Sequence, residues 1–387
     1  MEPNWNNLSD QFNKLKTEVN HFVHSTGVTD VVSLAEGSAR AARTALSEEA
    51  HSLLTQHKWT DFDQLYTAAA AAPGLPHLDI VSTPEANNQN KYTDVTSGQP
   101  PKLTEAGSYQ ETMTYKGIQR TFTVHLPSNY NPDNPTPMIV LMHGHGADGK
   151  TIFDAFGGQT AVDNFGAIVV TPNAIKWDGN QNIAAWQTNN GLAIPFADPD
   201  DAGFLDQMIK TTEKQVNVDK SLVGMWGFSN GGMMSLNFAT SKYSKDISSF
   251  EVVSTGADEQ ELNGNNPMQI SGLLIHGTND AVIPINGFQG IEAILADSIS
   301  DISPNLGVPN FLSANETAKR LAAKDGITGT GVSIPSSNPN LQKVEYTNGT
   351  QTIEADTVTG GTHDWYGTQE MWDFFHSHPQ QIVAKLP

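Results

Sequence analysis

Cysteine is absent from all 387 residues. That excludes disulfides, thiolate metal sites and a cysteine nucleophile together, and it fits a reducing compartment. Basic residues are scarce: 21 Lys and Arg stand against 42 Asp and Glu, for a net charge of −21. A field of that sign repels nucleic acid and anionic membrane surfaces, so neither is expected as a partner. No apolar run is long enough to span a bilayer. The first residues, Met1-Glu2-Pro3-Asn4-Trp5, lack the basic and apolar regions of a secretory signal, and with the missing cysteine they favour a cytoplasmic chain. There is no Walker or dinucleotide glycine fingerprint, no H-E-x-x-H and no comparable histidine spacing. Neither a cofactor nor a metal is expected.

Three compositional zones are present. Residues 1–74 read as a helical N-terminal region. Trp5, Leu8, Phe12, Leu15, Val19 and Phe22 recur at spacings of three and four. Further helices are expected from about Thr29 to His57 and from Trp59 to Ala72. So apolar a stripe must be covered, by its own bundle, a second subunit of a homo-oligomer or a polymer surface. Residues 75–106, rich in Pro, Asn, Thr, Ser and Gln, read as a linker. Residues 107–387 alternate strand-like and helix-like stretches, which predicts a mostly parallel sheet covered on both faces.

The strands expected in this last zone include Gln119 to Leu126, Met138 to Met142, Ala167 to Val170, Glu251 to Thr255, Ile270 to Ile275, Val344 to Thr347 and Thr352 to Val358. Helices are expected from Ala202 to Gln215, capped by Asp200-Asp201, from the capping box Ser313-Ala-Asn-Glu316 to Lys324, and from Tyr366 to His376.

The organising stretch is Ser221 to Met234. It reads as a buried strand, a sharp G-x-S-x-G turn at Gly227-Phe-Ser229-Asn-Gly231, and an apolar helix start. A serine hydroxyl is a weak nucleophile and must stand exposed where a base can reach it. A strained strand-to-helix turn does this, and the helix start behind it turns backbone N–H groups toward a developing oxyanion. In enzymes built on this turn the order is nucleophile, acid, histidine. Leu273-Leu-Ile-His-Gly-Thr-Asn-Asp280 is an apolar strand followed by a turn that offers Asp280 as the acid. Gly360-Gly-Thr-His363-Asp-Trp365 offers His363 as the base. His143 and His145 come before Ser229, in the wrong order for that role, and Asp364 adjoins His363 too closely to orient its ring. Two backbone donors should face the oxyanion: the N–H of Asn230, and one from the loop His143-Gly-His145-Gly146, with His145 first and Gly146 next.

Gly227-Phe-Ser-Asn-Gly-Gly-Met-Met234 resembles the elbow of polyhydroxybutyrate depolymerase-like esterases, relatives of feruloyl and acetylxylan esterases. Leu141-Met-His-Gly144, Asp200-Asp-Ala-Gly-Phe204, His276-Gly-Thr-Asn-Asp280 with Pro284, Gly360 to Trp365, and Trp372 to Phe375 are similar to further family motifs in the same order. The resemblance spans roughly Tyr109 to His378. It implies an α/β-hydrolase fold, a Ser229–His363–Asp280 triad acting through an acyl-enzyme, ester substrates and no cofactor. It also implies substrate contacts for Trp186 and Trp365. Polyhydroxyalkanoate-type polyester, or its oligomers, is the first substrate expected, and feruloyl or acetylxylan esters of plant polysaccharide are the alternative. Secreted members of the family usually carry disulfides and signal peptides, so the resemblance points outside the cell where the composition points inside.

Overall fold

A computed structural model describes residues 92–96, 98–175, 184–188, 200–257, 262, 268–280, 282–287 and 311–380. The helices expected in residues 1–74 lie outside the described residues.

The chain opens with an edge strand β1 (Thr93–Asp94), followed by β2 (Gly107–Tyr115), β3 (Ile118–Leu126) and β4 (Thr136–Met142). Two short helices, α1 (Gly149–Ala155) and α2 (Gly158–Asp163), lead to β5 (Ile168–Pro172) and α3 (Asp201–Gln215). Then come β6 (Val218–Phe228), α4 (Asn230–Thr240), β7 (Ser249–Val253), β8 (Ser271–Gly277) and α5 (Ala314–Lys324). The hairpins of β9 (Val332–Ile334), β10 (Leu341–Thr347) and β11 (Thr352–Val358) precede the closing helix α6 (Thr368–Ser377).

These strands form one sheet in the order β1-β2-β3-β5-β4-β6-β7-β8-β11-β10-β9. From β5 through β4, β6, β7 and β8 to β11 every pairing is parallel. Antiparallel pairs flank this centre on both sides. The central strands therefore end at one edge, and the loops that leave them share it.

Alternation along each strand feeds two apolar layers. In β4, Met138, Val140 and Met142 enter one cluster with Phe204, Met208, Phe238 and Leu321. Ile139 and Leu141 enter the other with Ile152, Phe153, Trp226 and Phe375. Thus α3, α4 and α5 cover one face, and α1, α2 and α6 the other. This is the doubly covered sheet that the strand and helix alternation predicts.

The N-terminal boundary needs correction. Within the stretch read as a linker to residue 106, Thr93–Asp94 form a strand of the sheet. β1 pairs in parallel with β2, and Val95 and Leu103 are buried in the core. Their N–H groups donate to Thr112 O at 2.9 Å and Gln215 O at 3.1 Å. Two apolar anchors in a polar stretch suffice for this, and a two-residue strand leaves no periodicity to detect.

Candidate active site

Four of the loops that leave the parallel strands at the shared edge follow β4, β6, β8 and β11. They carry His145, Ser229, Asp280 and His363 respectively.

Ser229 is the residue between β6 and α4. Its backbone has φ 53° and ψ −121°, a left-handed conformation that costs a non-glycine residue roughly 1–3 kcal/mol. Its neighbours fix that geometry. The Ser229 N–H donates to Val253 O at 3.0 Å, and the Thr255 hydroxyl donates to Ser229 O at 3.0 Å. The turn is tight enough that a Cβ on Gly231 would lie 2.3 Å from Met142 O. No side chain fits there, so α4 starts directly against the end of β4.

Asp280 follows β8 and is 5% exposed. Its Oδ1 accepts the N–H groups of Val282 at 2.9 Å and Ile283 at 2.8 Å. Its Oδ2 lies 2.8 Å from His363 Nδ1. Burial alone would raise this carboxyl. Hydrogen bonds from His276, His363 and the backbone outweigh burial and hold it well below the usual carboxylate range. An ionised carboxylate only accepts, so the proton between them sits on Nδ1 of His363 and leaves Nε2 as a base. The His363 side chain is 16% exposed.

The loops carrying acid and histidine are joined. Asn279 N–H donates to Gly361 O at 2.7 Å, and Thr278 N–H to Val358 O at 3.0 Å. Gly360 N–H donates to Thr278 Oγ1 at 2.8 Å. A Cβ on Gly277 would lie 2.3 Å from Gly361 O.

Around Ser229, the backbone N–H groups expected to face an oxyanion differ in their surroundings. Gly144 approaches the elbow, since a Cβ there would lie 3.4 Å from Ser229 Cβ. The Gly146 N–H is spent on Ala184 O at 2.8 Å, which removes it as the second choice. Among the described residues the N–H groups of His145 and Asn230 have no hydrogen-bond partner.

Trp186 corrects a reading made from the resemblance. Its side chain is fully buried, and its indole N–H donates to His143 O at 3.0 Å. A ring with no exposed surface makes no substrate contact. Trp365 is half-buried, and its indole N–H donates to Thr368 Oγ1 at 2.8 Å. It lies edge-on to Phe156 at 6.1 Å and to Phe228 at 6.5 Å between ring centroids. Phe228 in turn packs on the His363 ring at 5.0 Å. The sequence signalled neither phenylalanine as part of this cluster, although Phe228 is the variable residue of the elbow.

His276 was also missed as a partner of Asp280. Its Nε2 lies 2.7 Å from Ile283 O and 3.3 Å from Asp280 Oδ2. Both are acceptors, so Nε2 carries the proton. Its place four residues before Asp280 was the available signal. Among the described residues no three His, Cys, Asp or Glu side chains converge as a metal site, and no helix is long and apolar enough to cross a membrane.

Residues 129–305 match the phospholipase/carboxylesterase family, a span that includes Ser229 and Asp280. A probable feruloyl esterase C of Aspergillus niger is 30% identical over 179 residues, 45% of this chain and 58% of its own length. A feruloyl esterase D of Neurospora crassa is 29% identical over 185 residues, 45% of this chain and 58% of its own. The chain thus spans less than two thirds of the length of these curated relatives. An acetyl xylan esterase from Aspergillus awamori aligns in structure over 69% of this chain and 98% of its own, at 15% identity and a TM-score of 0.49. With the order of its motifs, its doubly covered parallel sheet and this family match, the chain has an α/β-hydrolase fold and is similar to the feruloyl esterases.

Proposed function

We propose that this chain is a serine carboxylic-ester hydrolase acting on feruloyl or acetyl esters of plant polysaccharide. The observation that carries the chemistry is the 2.8 Å contact between His363 Nδ1 and Asp280 Oδ2, at the same sheet edge as a serine held in a strained turn. In this reading Nε2 of His363 takes the Ser229 proton as Oγ attacks the ester carbonyl. The N–H groups of His145 and Asn230 receive the negative oxygen. His363 then protonates the leaving alcohol, and a water activated by the same nitrogen releases the acid. Asp280 stays ionised and keeps the imidazole in the tautomer that does this.

The polyester expected first has weaker support than the polysaccharide esters. The curated relatives matched here are named feruloyl esterases, and Phe156, Phe228 and Trp365 supply an aromatic surface beside His363. The test is turnover of methyl ferulate, acetylated xylan oligomers, p-nitrophenyl acetate and polyhydroxybutyrate film by the same purified protein. Ferulate or acetylxylan turnover above that on polyester is expected. Ser229→Ala should lower every activity by about 10⁴-fold or more, because triad members act as a unit. Near-normal turnover by folded Ser229→Ala protein would sink the assignment, and a preference for the film would restore the polyester reading.

A further inference from the structure

Residues 184–188 touch both stretches of backbone to which the oxyanion role is assigned. The Trp186 N–H donates to Asn230 Oδ1 at 2.8 Å, and Asn230 Nδ2 donates to Trp186 O at 3.2 Å. This two-bond clamp holds the residue after Ser229. The Trp186 indole N–H donates to His143 O at 3.0 Å, and Ala184 O accepts from Gly146 N–H at 2.8 Å. The same short segment therefore grips the loop after β4 on either side of His145.

Its other end is anchored in the core. Gln187 N–H donates to Asp201 Oδ2 at 2.8 Å. Asp201 Oδ1 pairs with Arg120 Nη1 at 2.7 Å, both side chains being buried. The Arg120 guanidinium lies over the Phe204 ring at 4.0 Å and donates to Asn173 O at 3.3 Å. His143 completes the arrangement. Its Nδ1–H donates to Gly144 O at 2.7 Å, and its Nε2 accepts from Ala174 N–H at 3.1 Å. Burial pushes its pKa down to about 4, so it stays neutral and both bonds persist across the ordinary pH range.

We infer that residues 184–188 are a strap that sets the spacing of the two oxyanion donors, with Trp186 and the Asn230 side chain as positioning residues and the Arg120–Asp201 pair as the anchor. The inference rests on the serine-hydrolase reading above. The two donors sit on separate loops, after β4 and after β6. A donor displaced by a few tenths of an ångström loses much of its hold on an oxyanion while binding the neutral ester unchanged. The strap therefore acts on the transition state and leaves the ground state alone. Asn230 has two functions under this inference: its N–H meets the oxyanion, and its side-chain amide holds that N–H in place.

The test uses full-length Trp186→Phe, which removes one indole N–H and keeps an aromatic ring. It also uses Asn230→Ser, which keeps the main-chain N–H and suits a helix start. On p-nitrophenyl acetate each should lower kcat about 10-fold with KM within about 2-fold. The inhibition constant of phenylboronic acid, whose tetrahedral adduct on Ser229 carries a negative oxygen, should rise by the same factor. The double variant should lose less than the product of the single losses, because both act on one strap. Folded variants with unchanged kcat and unchanged boronate affinity overturn the inference, as does a loss confined to KM. If Trp186→Phe does not fold, Asn230→Ser decides alone. A wild-type protein that hydrolyses no ester and takes no boronate at Ser229 would refute the hydrolase reading itself, and the strap with it.

Discussion

Two carboxylates on neighbouring strands of this sheet meet opposite fates. Asp280 follows β8, and Asp356 lies within β11, in register with Ile275 of β8. Both are buried, at 5% and 2% exposure. Asp280 is held well below the usual carboxylate range, burial being outweighed by hydrogen bonds from His276, His363 and the backbone. Asp356 is pushed up to about 8 by burial and by the nearby Glu354, with Lys343 opposing. Burial is common to both; Asp280 has hydrogen bonds that outweigh it, whereas Asp356 has the like charge of Glu354 beside it and only Lys343, 3.1 Å from its Oδ2, in opposition. Asp280 sits where the chain has left the sheet and the N–H groups of Val282 and Ile283 point at it. Asp356 sits between two paired strands, β8 and β10, where the backbone N–H groups belong to the ladder. Glu251, in the interior of β7, is also raised well above the usual value: full burial outweighs hydrogen bonds from Ser249 and Trp226. In this sheet the acid at the carboxyl edge is held low and the two interior acids are raised.

The sharpest test of this contrast is catalytic. Asp280→Asn should lower kcat/KM about 10³- to 10⁴-fold, because an amide no longer dictates the His363 tautomer. Asp356→Asn, assayed on the same ester, should stay within about 3-fold of wild type. Equal losses would mean that the two acids do not differ in role.

A smaller effect is expected in stability against pH. A raised carboxyl favours the fold fully below its unfolded value, near 4, and that advantage is lost as pH climbs toward the folded value of about 8. Asp356→Asn should therefore flatten the fall in unfolding free energy between pH 5 and 8 by roughly 1–3 kcal/mol. The lowered Asp280 carboxyl works the other way. Its contribution is present above the unfolded value and disappears as pH drops below about 4. Urea unfolding at pH 5 and pH 8 reads the Asp356 effect, and identical slopes in wild type and variant would contradict it.

The least perturbing change should be Glu251→Gln. Burial raises this carboxyl well above the usual value, and an amide keeps its shape without its charge, so a loss within about 1 kcal/mol is expected. A loss of about 3 kcal/mol or more in a thermal melt would mean that Glu251 is charged in the sheet.

Legibility in the sequence followed how local the constraint is. Ser229, Asp280 and His363 each stand in a turn after an apolar strand, where few residue types serve, and the structure brings Asp280 and His363 into contact. The capping residue Ser313 was equally local, its Oγ accepting from Glu316 N–H at 3.1 Å. Whatever depends on distant partners stayed hidden. Asp201 reads as part of a helix cap, yet its side chain turns inward to Arg120, 81 positions earlier. Trp186 reads as a contact surface because an aromatic type carries no record of its burial. The helices Gly149–Ala155 and Gly158–Asp163 are too short to show a period. The choice between polyester and polysaccharide ester lies in the walls of the site, which the motifs do not encode.

The backbone contact between Gly277 and Gly361 couples the lengths of two turns. The turn bearing the acid and the turn bearing the histidine are locked to each other through Asn279, Thr278 and Gly360, with no room for a side chain between them. An insertion in either turn would break these hydrogen bonds unless the other turn moved with it. Changes in length should therefore be tolerated better in the other loops at the sheet's edge than in these two turns.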